Sequence, residues 1–173
     1  MKKINLKDCI RDIPDFPKEG IIFKDITTLL KDKNAFRQAI DQLAEEFAAK
    51  NVQLVVGVEA RGFIFGGALA YKLGAGFVPI RKKGKLPFRT KCISYDLEYG
   101  TDTLEIHEDA IAPGTRVLIV DDVLATGGTI KAVSELVQGQ GAKIIGVAFV
   151  VELEFLNGKN KLQGHEIFSI VRY

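Results

Sequence analysis

Residues 117–129 constrain the fold of this chain more than any other segment does. They begin with the unbroken apolar run 117–120, continue through the acidic pair Asp121 and Asp122, and reach a turn, residues 125–129, that holds two adjacent glycines. A run of branched apolar residues without alternation is typical of a parallel strand that is covered on both faces. The segment therefore predicts a buried strand, an acidic strand end and a glycine turn that begins a helix.

The residues after this turn continue the pattern of strand and helix. Apolar residues between positions 130 and 137 fall on one face of a helix, and the glycines that follow are expected to end it. A second apolar run at 144–151 returns the chain parallel to the first strand through a right-handed crossover. Because ligands of such parallel sheets bind beyond the carboxyl ends of the strands, the turn at 125–129 lies where a ligand is expected.

Alternation of the same kind precedes this segment. Residues 35–49 carry apolar side chains at alternating spacings of four and three, which predicts an amphipathic helix with Asn34 as its N-cap. Further predicted elements are a strand at 54–58, a helix at 63–73 that Gly74 ends, and a strand at 77–80. The repeated alternation predicts a doubly wound α/β fold, with a mainly parallel central sheet and flanking helices.

We expect one domain over residues 1–173, because no repeat, low-complexity tract or linker divides the chain. Residues 1–30 are dense in proline, glycine and charge, which predicts a small N-terminal hood before the sheet begins. Residues 82–110 contain scattered aromatic residues and short alternating runs, which predict a β-hairpin. A connection this long is often a lid, so we expect a flexible lid hairpin; an edge hairpin with no moving part is the alternative.

Composition and charge exclude several classes of protein. The 173 residues carry a formal net charge of +2, which is too small to predict binding to nucleic acid or to a membrane. Cys9 and Cys92 lie far apart and the chain has two histidines, so neither a zinc site nor a disulfide framework is indicated. The chain has no stretch typical of a signal peptide or a membrane span. We therefore expect a soluble, cytoplasmic protein.

The glycine turn has the chemistry of a phosphate site. Gly127 and Gly128 permit positive φ and close approach of the backbone, and the unpaired amides at a helix N-terminus favour an anion. The turn lacks lysine, so it is not a Walker A nucleotide loop. Asp121 and Asp122 would repel a phosphate unless sugar hydroxyls or a divalent cation lay between them. A ribose 5-phosphate would supply both a phosphate for the turn and hydroxyls for the carboxylates. Taken separately, the acidic pair could be a solvated strand end and the glycines an ordinary turn. Their occurrence together and in this order favours a binding site for a sugar phosphate.

Two further loops place cations at predicted strand ends. The turn at 59–62 contains Arg61, whose guanidinium matches phosphate oxygens, although a surface salt bridge to Glu59 explains it about equally well. Arg81, Lys82 and Lys85 follow the next strand. Such a run is usually a solvated loop, but extra cations would also stabilise the charge of a leaving pyrophosphate.

Five segments of the chain resemble, in order, the motifs of the type I phosphoribosyltransferases, and within that family those of the adenine phosphoribosyltransferases. The segments are DFPKEGIIFKDI at 15–26, GVEARGFIFG at 57–66, RKKGKLP at 81–87, LEYG at 97–100 and VLIVDDVLATGGT at 117–129. The resemblance implies transfer of a phosphoribosyl group from phosphoribosyl pyrophosphate (PRPP) to adenine, which gives AMP and pyrophosphate in purine salvage. It also implies a homodimer and Mg2+ as cofactor, held mainly through the substrate without direct protein ligands.

The resemblance assigns a role to each segment. Asp121 and Asp122 hold the ribose hydroxyls, Glu98 manages a proton on the purine, and Tyr99 covers the reacting groups. The 5-phosphate is bound by Ala125, Thr126, Gly127, Gly128 and Thr129. The pyrophosphate is contacted by Glu59, Ala60, Arg61, Arg81 and Lys82 or Lys85, with Arg81 reaching across a dimer interface. Adenine is held between the side chains of Phe23 and Val123, with the backbone near Ile22 and Lys24 at its hydrogen-bonding edge.

Other assignments stay open at the level of the sequence. From the residues alone, Phe23 fits a core aromatic and Glu98 fits an exposed side chain. A phosphoribosyltransferase for the oxopurines hypoxanthine, guanine or xanthine is one alternative, because Ile130 and Lys131 after the glycine turn do not exclude it. A non-enzymatic regulator that senses PRPP is another, although the chain has no DNA-binding extension and no strongly basic face.

Overall fold

The computed structural model describes residues 4–96 and 101–173 of the chain. The strands are β1 (Arg11–Pro14), β2 (Ile22–Asp25), β3 (Leu54–Val58), β4 (Gly76–Lys82), β5 (Thr90–Asp96), β6 (Thr101–His107), β7 (Arg116–Leu124), β8 (Lys143–Glu152) and β9 (Ile167–Arg172). The α-helices are α1 (Thr27–Lys31), α2 (Lys33–Phe47), α3 (Gly62–Leu73) and α4 (Gly128–Gln138), and short 3-10 turns connect several elements.

A seven-stranded sheet with the order β5-β6-β4-β3-β7-β8-β9 forms the centre of the described structure. The strands from β4 to β9 in this order pair in parallel, and β5 and β6 form an antiparallel hairpin that joins the sheet at β4. The predicted α/β fold with a mainly parallel sheet is confirmed. The predicted hairpin is also present, and it is an edge of this sheet; its flexibility stays a prediction.

Helices cover both faces of the sheet. On one face, Leu118 and Val120 of β7 pack with residues of α2 and α3, and on the other face Val117 and Ile119 pack with residues of α4. Successive strand residues point to opposite faces, so an unbroken apolar run is what a strand buried on both sides requires. This packing accounts for the four consecutive apolar residues and places the carboxyl end of β7 at the rim of the sheet.

Two boundaries differ from the sequence prediction. Strand β7 continues to Leu124, so Asp121 and Asp122 lie within the strand rather than beyond its end. Helix α2 is capped by Asp32 and not by Asn34: the Asp32 carboxylate accepts hydrogen bonds from the amides of residues 34 and 35. Asp32 has the extended backbone of an N-cap, whereas Asn34 already lies in the first helical turn.

The N-terminal hood contains a separate two-stranded antiparallel sheet. Strands β1 and β2 pair with Asp12 opposite Lys24 and Ile13 opposite Phe23. Asp25 ends β2, and its carboxylate accepts a hydrogen bond from the Thr27 amide at the start of α1. None of the helices in the described residues combines the length and the apolar character needed to cross a membrane.

Candidate active site

The turn at 59–62 and the end of β7 meet at the rim of the sheet. The Arg61 Nε lies 2.8 Å from the Asp122 Oδ2, an ion-pair distance between a half-exposed guanidinium and a buried carboxylate. Gly62 begins α3 directly against Asp121, since a Cβ at position 62 would lie 2.9 Å from the Asp121 Oδ1. The structure therefore brings Arg61 together with both members of the acidic pair, and Arg61 does not form the alternative salt bridge to Glu59.

Asp122 is buried and Asp121 is partly buried, and this burial shifts the pKa of both carboxyl groups. Burial raises the pKa of Asp121 well above the ordinary value, and the charge of Asp122 raises it further. Burial also raises the pKa of Asp122, while the Arg61 guanidinium opposes that shift. Two carboxyl groups in such surroundings favour partners that bring hydroxyl donors or positive charge.

The glycine turn, which we call the phosphate loop (residues 125–129), begins helix α4. Gly127 is the N-cap residue with φ of 78°, so the conformation that the sequence predicted for this glycine is present. A recess of about 80 Å³ is lined by the loop together with Asp121, Val123, Leu124 and Ile130. The Thr129 Oγ1 lies 3.4 Å from the Tyr95 hydroxyl, which places the β5–β6 hairpin against the phosphate loop.

Gly158 supports the phosphate loop from behind, a role that sequence reasoning missed. A Cβ at position 158 would lie 2.2 Å from the carbonyl oxygen of Ala125, and a Cβ on Gly127 would lie 2.4 Å from the carbonyl oxygen of Gly158. The two backbones are thus in direct contact. The only sequence signal is the Asn-Gly dipeptide at 157–158, which predicts a turn but does not identify its neighbour.

The basic cluster is organised by Glu59. The Arg81 Nη2 donates to the Glu59 Oε1 at 3.0 Å and the Lys82 amide donates to the Oε2 at 3.0 Å; the hydrogen bond from Arg81 lowers the pKa of Glu59. The Arg81 Nη1 also donates to the Lys85 carbonyl oxygen. The Lys82 ammonium lies 3.1 Å from Asp102, which raises the pKa of Lys82. Lys82 and Lys85 are exposed, whereas Arg81 is partly buried.

The hood brings an aromatic side chain to this rim. Phe23 is half-buried, and the Arg61 guanidinium lies 5.5 Å from the centroid of its ring. Phe16 packs edge-on against the same ring at 5.3 Å between centroids. Phe23 therefore lies outside the buried core, whereas the sequence alone suggested a core aromatic. Val123 is partly buried and Ile22 is exposed.

Two predicted catalytic residues, Glu98 and Tyr99, lie outside the described residues. Within residues 4–96 and 101–173, no cluster of three or more His, Cys, Asp or Glu side chains has the arrangement of a metal site. Two adjacent carboxylates remain at the rim, which fits a divalent cation bound mainly through substrate oxygens rather than through a cage of protein ligands.

Comparison with known proteins shows which family the chain is similar to. Residues 25–171 match the family model of the phosphoribosyl transferase domain. The chain is 60% identical over 168 residues to an adenine phosphoribosyltransferase of Acidobacterium capsulatum, covering 97% of this chain and 93% of that protein. The adenine phosphoribosyltransferase of Thermoanaerobacter pseudethanolicus superposes with a TM-score of 0.94 at 54% identity, covering 97% of this chain and 98% of that one.

A more distant solved structure carries ligands. The adenine phosphoribosyltransferase of Saccharomyces cerevisiae, complexed with adenine and an imino-altritol bisphosphate, superposes with a TM-score of 0.90 at 42% identity. The superposition covers 95% of this chain and 96% of the yeast chain. The similarity thus extends over nearly the whole of both proteins. The chain belongs to the phosphoribosyl transferase domain family and, within it, to the adenine phosphoribosyltransferases.

Proposed function

We propose that the protein transfers the phosphoribosyl group of PRPP to N9 of adenine, giving AMP and pyrophosphate in purine salvage. The observation that carries the proposal is the juxtaposition of the Arg61–Asp122 ion pair with the phosphate loop at one rim of the sheet. Arg61 suits a departing pyrophosphate, and the phosphate loop suits a retained 5-phosphate. A substrate that carries a pyrophosphate and a phosphate at the two ends of a ribose fits this distribution of charge.

The sugar end of PRPP is held by the phosphate loop and the acidic pair. Amides at the N-terminus of α4 and the hydroxyls of Thr126 and Thr129 donate to the 5-phosphate. Asp121 and Asp122 accept hydrogen bonds from the ribose hydroxyls, which replace the water that burial has removed. Their negative charge also offsets the positive charge that grows on the ring as the bond at C1 breaks.

The pyrophosphate end requires Arg61 to change partner. Its guanidinium forms an ion pair with Asp122, and a bound pyrophosphate competes for the same donors. Release of Asp122 then leaves its carboxylate free for ribose. Lys82 and Lys85, on the exposed loop beside Glu59 and Ala60, add positive charge for the leaving group. When bound with PRPP, Mg2+ supplies further neutralisation of the phosphate oxygens.

The adenine end lies under the hood. Phe23 and Val123 offer apolar faces to the ring, and the backbone near Ile22 and Lys24 offers hydrogen-bonding groups to its edge. Glu98 and Tyr99 are proposed to act on the purine proton and to cover the reacting groups, as the resemblance implies. A base clamped above C1 of the ribose reacts as an effectively intramolecular partner, which lowers the barrier by proximity.

We also propose a cytoplasmic homodimer in which each chain is one domain. Helix α3 carries Ile64 and Tyr71 seven residues apart on one face, with Tyr71 90% exposed, and strand β4 carries the exposed Phe77. Arg61 directly precedes α3 and Arg81 lies in β4, so a second copy of the chain that covered these apolar side chains would also lie next to the pyrophosphate loops. Tyr71→Glu is expected to shift the mass in light scattering from two chains to one.

Product formation tests the proposed reaction. Incubation with PRPP, Mg2+ and one base at a time should give AMP and pyrophosphate with adenine, and far less nucleotide with hypoxanthine, guanine or xanthine. A preference for an oxopurine would reassign the base. Binding of PRPP without product from any base would favour a sensor and contradict the proposal.

A further inference from the structure

Tyr173, which follows strand β9, lies between two lysine side chains. The Lys24 Nζ is 3.9 Å from the centroid of the Tyr173 ring, and the Lys7 Nζ is 4.3 Å from it. Ammonium groups at these distances are attracted to the face of an aromatic ring. The Lys24 side chain is only 11% exposed, and its Nζ also lies 2.7 Å from the Asp12 carboxylate on the neighbouring hood strand. The ring thus contacts the hood through the largely covered side chain of Lys24.

The main chain of Tyr173 is fixed to the central sheet. Its amide donates to the Glu152 carbonyl oxygen at 3.0 Å, and its carbonyl oxygen accepts from the Glu154 amide at 2.9 Å. Glu152 ends β8, the strand next to β7 with its acidic pair. A tyrosine hydroxyl is neutral near pH 7 and burial raises the pKa of Tyr173 further, so the uncharged ring attracts the lysines through its face.

Strand β2 connects this ring with the rim of the site. Phe23 and Lys24 are successive residues of a strand, and successive side chains point to opposite sides. Phe23 faces Arg61 at 5.5 Å, whereas Lys24 faces Tyr173 at 3.9 Å. The strand is therefore held from both sides, by a residue of the 59–62 turn and by a residue anchored to β8.

We propose that Tyr173 is a positioning residue for the adenine side of the site. By holding Lys24, it fixes strand β2 and with it the height of Phe23 above the base. Tyr173 acts through Lys24 and does not enter the chemistry. The inference rests on the proposed function, because it assigns the base to the Phe23 side of the hood.

Steady-state kinetics of Tyr173→Leu and Tyr173→Phe test this role. The leucine variant removes the aromatic face, so the KM for adenine should rise about tenfold, equivalent to about 1.4 kcal/mol. The KM for PRPP and kcat should stay within about twofold of the wild type. The phenylalanine variant keeps the face and should behave like the wild type. Phe155→Leu, at an exposed aromatic of the neighbouring 3-10 turn, is the matched control and should change neither KM.

A double-mutant cycle and hydrogen exchange complete the test. Lys24→Met should raise the KM for adenine at least as much as Tyr173→Leu does, because it also removes the ion pair with Asp12. The combined variant should differ little from Lys24→Met alone, because the contact between Lys24 and Tyr173 is already lost. In the substrate-free protein, amides of β1 and β2 should exchange faster in the leucine variant than in the phenylalanine variant. Equal losses for both substrates, an unchanged KM for adenine, or identical leucine and phenylalanine variants would overturn the inference. If the wild type made no AMP, the proposed function would fail, while hydrogen exchange would still decide whether Tyr173 holds the hood.

Discussion

Gly158→Ala tests whether the contact behind the phosphate loop sets its shape. The added Cβ would lie 2.2 Å from the Ala125 carbonyl oxygen and 3.1 Å from the Ala125 carbonyl carbon. An ordinary carbon–oxygen contact is longer by roughly 1 Å, and the opposing atoms are backbone, so the loop must move as a unit. Overpacking of this kind costs about 1 to 3 kcal/mol. For a domain of this length, that corresponds to a fall in Tm of about 2 to 12 °C.

The functional effect should be measurable separately from the effect on stability. A displacement of roughly 1 Å at groups that position a substrate can reduce the rate by about 100-fold. We therefore expect kcat/KM for PRPP to fall by about that factor at a temperature where circular dichroism shows the variant fully folded. The KM for adenine at saturating PRPP should change much less, because Phe23 and the hood lie outside the displaced loop.

Gly139→Ala provides the matched control at the other end of α4. Gly139 has φ of −62°, and its added Cβ would meet no atom closer than 3.3 Å. This variant should keep wild-type kinetics and nearly wild-type Tm. If Gly158→Ala retained kcat/KM for PRPP within threefold of the wild type, the argument that Gly158 shapes the phosphate loop would be refuted.

Three further predictions concern charged groups. Arg61→Ala and Asp122→Asn should each lower kcat by about 100-fold or more while the variants stay folded, since preorganised charge stabilises the transition state; wild-type turnover in both would contradict the site. Asp121→Asn should raise Tm at pH 7 by a few degrees. Burial raises the pKa of Asp121 in the native state, so the native state binds more protons than the unfolded state and the free energy of unfolding falls as pH rises above about 4. An asparagine does not ionise and therefore avoids this loss. The gain should vanish below about pH 4, and a Tm difference independent of pH would argue against it. The hydrogen bond from Arg11 lowers the pKa of Asp25 to about 2, so its contribution is present above about pH 4 and is lost as pH falls toward 2. Because Arg11 is exposed, Arg11→Met should remove at most about 1 kcal/mol of this acid-sensitive stability in urea titrations, and the same loss at every pH would exclude the mechanism.

Local signals in the sequence predicted the elements that depend on local chemistry. The apolar run 117–120 identified β7 because burial on both faces leaves no position for a polar residue. The glycines of the phosphate loop identified the start of α4 because the N-cap there needs positive φ. The strand boundary was misplaced at Asp121, since a carboxylate usually ends a buried strand. Here Arg61, 61 residues earlier in the chain, balances the charge of Asp122 and allows the strand to continue.

Contacts between distant segments were beyond the reach of sequence reasoning. Gly158 and Tyr173 carry no motif, and each acts on residues more than thirty positions away. The sequence also did not identify the ion-pair partner of Arg61. Glu59 is only two positions away in the sequence and was the obvious candidate, whereas the observed partner, Asp122, is distant in the sequence. The structure gives Glu59 to Arg81 instead, since the side chain of Arg81 at the end of β4 reaches it within 3.0 Å. Long-range packing decides such pairings, and composition and periodicity do not encode it directly.

The chemistry of the acidic pair explains why the rim of the sheet is not optimised for stability. Burial raises the pKa of both carboxyl groups, so the folded chain carries an electrostatic cost that a neutral side chain would avoid. The Arg61 guanidinium offsets part of that cost for Asp122. In the unfolded chain, water donates hydrogen bonds to these carboxylates, and the hydroxyl groups of a bound ribose can donate them in the folded chain. The binding of substrate therefore reduces the electrostatic cost of burying Asp121 and Asp122. The expected signature is a Tm increase on PRPP binding that is larger in the wild type than in Asp121→Asn, measured at equal saturation.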